Sequence, residues 1–188
     1  MAAELSIYVS ASTEMDAECE LLGQMLANMA RSLRWTIKRT PGPHELANPD
    51  LEALRESHFY VILLGTDITA PIGVEWRAAQ EAGVTTYAFR NVERIASPAA
   101  AVFTHSIEAN WQPYHTPHEF VQRFERELID RLLEGTPGYG LDLADLEQLS
   151  VRRRALEQEE KEKAQPEGEE RRGAGSGGVI LAARESGQ

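Results

Sequence analysis

Residues Phe59–Phe89 read FYVILLGTDITAPIGVEWRAAQEAGVTTYAF, and this stretch decides the fold class. Phe59–Leu64 is an unbroken apolar run that stops at Gly65. A strand buried on both faces has this pattern, and such strands belong to parallel sheets. Pro71 suits the first position of a helix and Gly83 its end. Val74, Ala78 and Ala79 supply the expected inward stripe of that helix. Val84–Phe89 is apolar again and predicts a second strand. Strand, loop, helix and strand make one parallel crossover unit. A single acid, Glu75, stands where the buried face of the helix should begin.

Upstream, Leu5–Ser10 predicts a strand and Ser10–Glu14 a polar turn. Apolar residues then recur at Leu21, Leu22, Met25, Leu26, Met29 and Leu33, which predicts a helix over 16–33. Thr13 and Asp16 have the spacing of a capping box. Glu14, Asp16, Glu18 and Glu20 lie near the helix start, where acids suit the dipole. Trp35–Arg39 predicts a strand with Trp35 and Ile37 on one face, ended by Pro41, Gly42 and Pro43. Asn48 as cap and Pro49 as first residue predict a short helix to about Glu56.

Downstream, residues 91–104 read as irregular, with at most one helical turn, and His105–Trp111 as a fifth, edge strand. Thr116, Pro117 and Glu119 mark a helix start, and Phe120, Val121, Phe124, Leu128 and Leu132 its buried stripe. Gly135–Gly140 breaks that helix. Leu141, Leu143, Leu146, Leu149 and Leu156 predict one more amphipathic helix. From about residue 157 the chain is charged, then Gly-rich and without aromatics, which predicts disorder. The expected division is therefore an α/β domain over 1–140, a helix over 141–156 and a disordered tail over 157–188.

Five strands alternating with helices predict a flavodoxin-like fold, a five-stranded parallel sheet in the order 2-1-3-4-5 with helices on both faces. In such sheets ligands bind where the chain reverses direction, beyond the carboxyl ends of strands 1 and 3. The two loops there are Ser10–Met15 and Gly65–Gly73.

With 188 residues and 42% hydrophobic residues, the chain is long enough for one ordinary domain with a core. Its formal charge of −11, without a basic stripe, argues against a nucleic-acid partner. No apolar run approaches the ~20 residues of a membrane span, and no signal peptide is evident. Cys19 is the sole cysteine, so an internal disulfide and a cysteine-based zinc site are excluded. These features predict a cytoplasmic protein. His105, His115 and His118 lack an adjacent acid pair, and no metal site is expected. Phosphate-loop, dinucleotide-fingerprint and nucleophile-elbow motifs are missing from the sequence.

The segments IYVSASTEMDAECELL (7–22), ESHFYVILLG (56–65), VEWRAAQEAGVTTYAF (74–89) and WQPYHTPHEF (111–120) together resemble the TIR-like group of domains. That group is often found at the N-terminus of bacterial signalling and defence NTPases. The resemblance covers about residues 5–134. Ser10, Ser12, Thr13, Asp16 and Glu20 match its first-strand loop with Ala11 as an insertion, and Glu75-Trp76 matches its later Glu-aromatic pair. The loop over 66–73 is shorter than the group's usual one. Wider relatives are TIR domains and nucleoside deoxyribosyltransferases. The resemblance implies a nucleotide ligand such as NAD, with Glu75 acting on its N-glycosidic bond, and an assembly of like subunits or a partner protein. It implies Ser10, Ser12, Thr13, Gly65, Asp67 and Trp76 as ligand-binding positions.

The chemistry is coherent. Breaking an N-glycosidic bond builds oxocarbenium character on the ribose, which a carboxylate in contact stabilises or attacks. Nicotinamide is a cationic leaving group in NAD, so one acid would suffice. Each residue also has an ordinary role. Glu75 suits a first helical turn, Ser10, Ser12 and Thr13 suit turns and caps, and Asp67 suits a solvated loop. Trp76 suits packing on the sheet as well as stacking on a base. Arg152–Arg154 read as a solvated helix face. The expected functions are thus a nucleotide-binding domain that hydrolyses NAD, a non-enzymatic interaction module of the same fold or, third, a deoxyribosyltransferase.

Overall fold

The computed structural model describes residues 3–29, 33–42, 44–135 and 138–164. The chain builds strand β1 (Ala3–Ala11), helix α1 (Asp16–Met29), β2 (Leu33–Arg39), α2 (Leu51–Arg55), β3 (Phe59–Leu64), α3 (Ala70–Ala82) and β4 (Thr85–Asn91). There follow α4 (Pro98–Ser106), β5 (Trp111–Tyr114), α5 (Pro117–Glu134) and α6 (Leu143–Ala164). All strand pairings are parallel and the order is β2-β1-β3-β4-β5. This is the flavodoxin-like arrangement that the alternating pattern predicts, with the switch point between β1 and β3.

Every residue of β3 is buried, as expected for a central strand. Strand alternation sorts the core into two layers. Leu5, Ile7, Val9, Phe59, Val61 and Leu63 face one side, where Leu22 of α1, Phe120 and Phe124 of α5 and Leu149 of α6 close over them. Tyr8, Tyr60 and Ile62 face the other side, toward Leu54 of α2 and Ile72, Trp76 and Ala79 of α3. Ser10 shares that second face and is fully buried.

Several local expectations are corrected. Residues 98–106 form a helix, because Ser97 accepts a hydrogen bond from the Ala100 amide at 3.1 Å and Pro98 opens the first turn. The fifth strand consequently starts at Trp111, later than the sequence suggests. Asp50, not Asn48, caps α2, its carboxylate accepting from the Ala53 amide at 3.0 Å. Leu33, expected as the end of α1, instead pairs with Ala3 in the sheet. Thr13 opens a 3-10 turn over Thr13–Met15 ahead of α1, and Ser12 takes the cap position without a side-chain bond. Val74 points outward and is exposed, because the buried stripe runs through Ile72, Glu75, Trp76 and Ala79 at helical spacing. Ile37 on the edge strand β2 is likewise exposed.

Helix α6 runs to Ala164, past the expected limit near residue 156. Its arginines are not simply solvated. Arg152 Nε and Nη2 each donate to the buried Glu125 of α5 at 2.7 Å, and Arg153 pairs with Asp130. Leu149 and Leu156 add apolar contact beneath these pairs. The predicted disorder beyond Ala164 falls outside the described residues. Among the described residues no helix is long and apolar enough to cross a membrane.

Candidate functional site

Glu75 lies beyond the first turn of α3, so the helix dipole does not explain it. Its stripe on the helix faces the sheet, and the carboxylate is fully buried. Tyr8 and Ser10, two residues apart on one face of β1, point at it. Tyr8 Oη donates to Glu75 Oε1 at 2.8 Å and Ser10 Oγ to Oε2 at 2.5 Å. Thr40, directly after β2, donates from Oγ1 to Oε2 at 2.6 Å. Tyr60 Oη in turn donates to Ser10 Oγ at 2.7 Å.

Five buried polar side chains from four segments thus form one network. A buried carboxyl group without partners costs several kcal/mol, and three hydroxyl donors here replace its lost water. None of the ion pairs among the described residues includes Glu75. Burial, and next the charge of Glu75, push the Tyr8 phenol well above its ordinary value. Burial does the same to Tyr60, against the opposing hydrogen bond with Ser10.

Beside this network opens a cleft of about 320 Å³ at the carboxyl ends of β1 and β2. Ser12 and Thr13 line one wall, Thr40 and Gly42 another, and Thr69 and Pro71 at the start of α3 a third. Of the three hydroxyl groups on Glu75, only that of Thr40 belongs to a residue lining the cleft. Thr40 is held in place on both sides: its amide donates to Val9 O at 3.0 Å, and its Oγ1 accepts from the Ala11 amide at 3.3 Å. Arg39 crosses the rim to Asp16 at 3.2 Å and Glu45 at 3.6 Å. Cys19 also lines the cleft, and burial pushes its thiol up to about 11, away from thiolate.

The sequence points to a crevice between Ser10–Met15 and Gly65–Glu75. The cleft instead has the segment after β2 as its second wall, because the five-residue connection 65–69 turns straight into α3. Ser12 and Thr13 face the cleft, and Ser10 lies beneath it. Trp76 packs between Tyr60 and Phe103, with ring centroids 6.3 and 6.5 Å away. Asp67 Oδ1 accepts from Ser97 Oγ at 2.6 Å and from the Ile68 amide at 2.8 Å. Those two bonds hold its carboxyl below the usual range.

Gly65 marks a second centre at the switch point. Glu14 Oε1 accepts from the Thr66 amide at 2.7 Å, the Asp67 amide at 3.3 Å and Ser12 Oγ at 3.2 Å. Its Oε2 meets Arg94 Nη1 at 3.2 Å, while Arg94 Nη2 donates to the Glu14 carbonyl at 3.0 Å. A Cβ on Gly65 would stand 2.7 Å from Glu14 Oε1 and 1.9 Å from Met15 Cε, so a larger residue there would push the ends of both side chains away. Burial by itself would raise the Glu14 carboxyl. The Asp67 and Thr66 amides, with help from Ser12, outweigh it and hold the group below the usual range.

Sequence reasoning missed Tyr8, Thr40, Tyr60, Glu14 and Arg94. Strand alternation was a usable signal for Tyr8 and Tyr60, which share a face with Ser10. Thr40, Glu14 and Arg94 carry no local signal, since their partners are set by loop geometry. A larger cavity of about 540 Å³ lies between α5 and α6, lined by Gln122, Arg126, Leu156 and Glu159. It belongs to the packing of those helices, away from the strand ends. No group of three His, Cys, Asp or Glu residues among the described residues is arranged to hold a metal ion. In comparisons with known proteins, no family model and no curated sequence matches the chain.

Proposed function

We propose that the chain is a TIR-like signalling module that binds a small nucleotide such as NAD in the cleft at the carboxyl ends of β1 and β2, and that in this conformation it does so without cleaving it. One observation carries the reading: an open cleft lies beside a carboxylate that is fully buried and satisfied by three hydroxyl donors. A carboxylate that stabilises a developing ribosyl cation has to touch it. Glu75 instead spends its acceptor capacity on Tyr8, Ser10 and Thr40. Its role here is to tie α3 to the floor of the cleft, so that the cleft keeps its shape. The Ser12 and Thr13 hydroxyls on the cleft wall suit the polar groups of a nucleotide.

A second reading, N-glycosidic cleavage of the bound nucleotide by Glu75, is favoured by the position of Thr40. This side chain alone among the partners of Glu75 lines the cleft, so its displacement would expose Oε2 to a ribose. Self-association or a partner protein would be the natural means of displacing it.

Titration of the isotope-labelled full chain with NAD, together with NAD turnover at high protein concentration, separates the readings. The expected result is movement of the Thr13, Cys19 and Thr40 amide signals with no turnover. Turnover by the wild type that disappears in Glu75→Gln would overturn the non-cleaving reading in favour of the second. Signals unmoved by NAD, AMP and ADP-ribose alike would overturn nucleotide binding.

A further inference from the structure

We infer that the turn after β3 is a seat for a phosphate-class oxyanion, occupied in this conformation by the chain's own Glu14. The donors around that carboxylate are two consecutive backbone amides, Thr66 and Asp67, the Ser12 hydroxyl and the Arg94 guanidinium. Successive amides that converge on one oxygen, with a guanidinium on the other, form the array that binds phosphate oxygens. A carboxylate fills it with two oxygens and one charge. Phosphate and pyrophosphate offer more of both. Gly65 keeps the seat open, because a Cβ there would intrude to 2.7 Å from the bound oxygen.

The seat is open to solvent, with 25% of the Glu14 side chain and 36% of the Arg94 side chain exposed. An ion can therefore reach Arg94 before Glu14 leaves, and exchange needs no unfolding. Ser12 belongs both to the seat and to the wall of the cleft, so one molecule can span the two. That the oxyanion is the phosphate of a nucleotide rests on the function proposed above. The seat itself rests on its donors.

Exchange would also carry a signal. Glu14 ties together the turns after β1, β3 and β4: it sits in the first, bonds to Thr66 and Asp67 of the second, and pairs with Arg94 of the third. An arriving oxyanion would keep the second and third turns together and free the Glu14 side chain, while Ser12 and the Glu14 carbonyl still tie in the first. The differential affinity of the seat for the two occupants sets how far the Glu14 side chain is freed.

The test is titration of the labelled full chain with inorganic pyrophosphate, following the Thr66 and Asp67 amide signals. Glu14→Ala vacates the seat while its amides and Arg94 remain, so it should bind pyrophosphate about tenfold or more tightly than wild type, the internal competitor having been removed. Arg94→Met should weaken binding by about tenfold, because the charge-assisted donors are lost. Binding by Glu14→Ala that is no tighter than wild type overturns the inference. Should that variant fail to fold, the wild type decides: Thr66 and Asp67 signals unmoved at roughly 50 mM pyrophosphate, a concentration that would detect even very weak affinity, overturn it as well. If NAD moves the Thr13 and Thr40 signals while pyrophosphate moves neither Thr66 nor Asp67, the seat is refuted and nucleotide binding in the cleft stands. A pyrophosphate response without any nucleotide response supports the seat and refutes the nucleotide reading.

Discussion

At the scale of single residues, the network around Glu75 is built from oxygen atoms that have little access to water. Ser10 is its central member, since it donates to Glu75 and accepts from Tyr60. Ser10→Ala removes both bonds at once and leaves the Tyr60 hydroxyl without its acceptor. The expected loss is about 1–3 kcal/mol in urea unfolding. Thr40→Val keeps the shape of the side chain and removes its bonds to Glu75 and Ala11, but the cleft lets water reach the vacated position. Its expected loss is smaller, on the order of 1 kcal/mol. Equal stability of wild type and Ser10→Ala would show that the network does not hold the sheet to α3. Glu75 itself could be singled out in the sequence, as an acid on an otherwise apolar helix face. Its partners could not, because Thr40 is 35 residues away and Ser10 is 65 residues away along the chain.

At the scale of elements, α6 completes the layer formed by α1 and α5. Of the expected leucine stripe, Leu149 and Leu156 are buried, whereas Leu141 precedes the helix and Leu143 is exposed, and the attachment of the helix had no sequence signal. A run of three arginines has no sign of which partners it will find. Arg152 is fixed by a buried carboxylate on a helix that the chain reached earlier, Glu125, which is itself only 6% exposed. Arg152→Met keeps much of the side-chain length and strands that carboxylate. We expect a loss of about 1–3 kcal/mol, discounted because Arg152 itself is partly exposed, and faster hydrogen exchange along α6 than along α5. Unchanged exchange in α6 would mean that Leu149 and Leu156 suffice to dock it. Helix α4 shows the opposite case. Its Ala-rich segment lacks a strong apolar stripe, yet Ser97-Pro98 is an ordinary start signal.

At the scale of the whole molecule, four tyrosines on the two faces of the sheet, Tyr8, Tyr60, Tyr87 and Tyr114, have phenols raised above their ordinary value of 10.0, in each case with burial as the first cause. The sign follows from linkage. In the folded state these groups keep protons that the unfolded chain gives up above about pH 10, so their contribution is complete below that pH and is lost as pH rises past it. Alkaline unfolding should be cooperative, with tyrosinate absorbance appearing together with loss of helical circular dichroism. Tyrosinate absorbance from all four before the helices melt would contradict this burial. The acid side runs the other way for Glu14. Its lowered value stabilises the fold above the ordinary 4.5, and that contribution fades as pH falls through the folded value.

What the sequence determined by itself is the α/β class, the parallel order of the sheet and the switch point, because periods of 2 and 3.6 residues and Pro, Gly and Ser punctuation act over a few neighbouring residues. Only the tertiary structure decided that Glu75 is enclosed by Tyr8, Ser10 and Thr40, that the cleft opens toward the segment after β2, and that Glu14 fills the turn after Gly65. The physical reason is reach. A hydrogen bond is made or lost within a fraction of an ångström, and that is set by strand register, loop path and rotamer acting together across the chain.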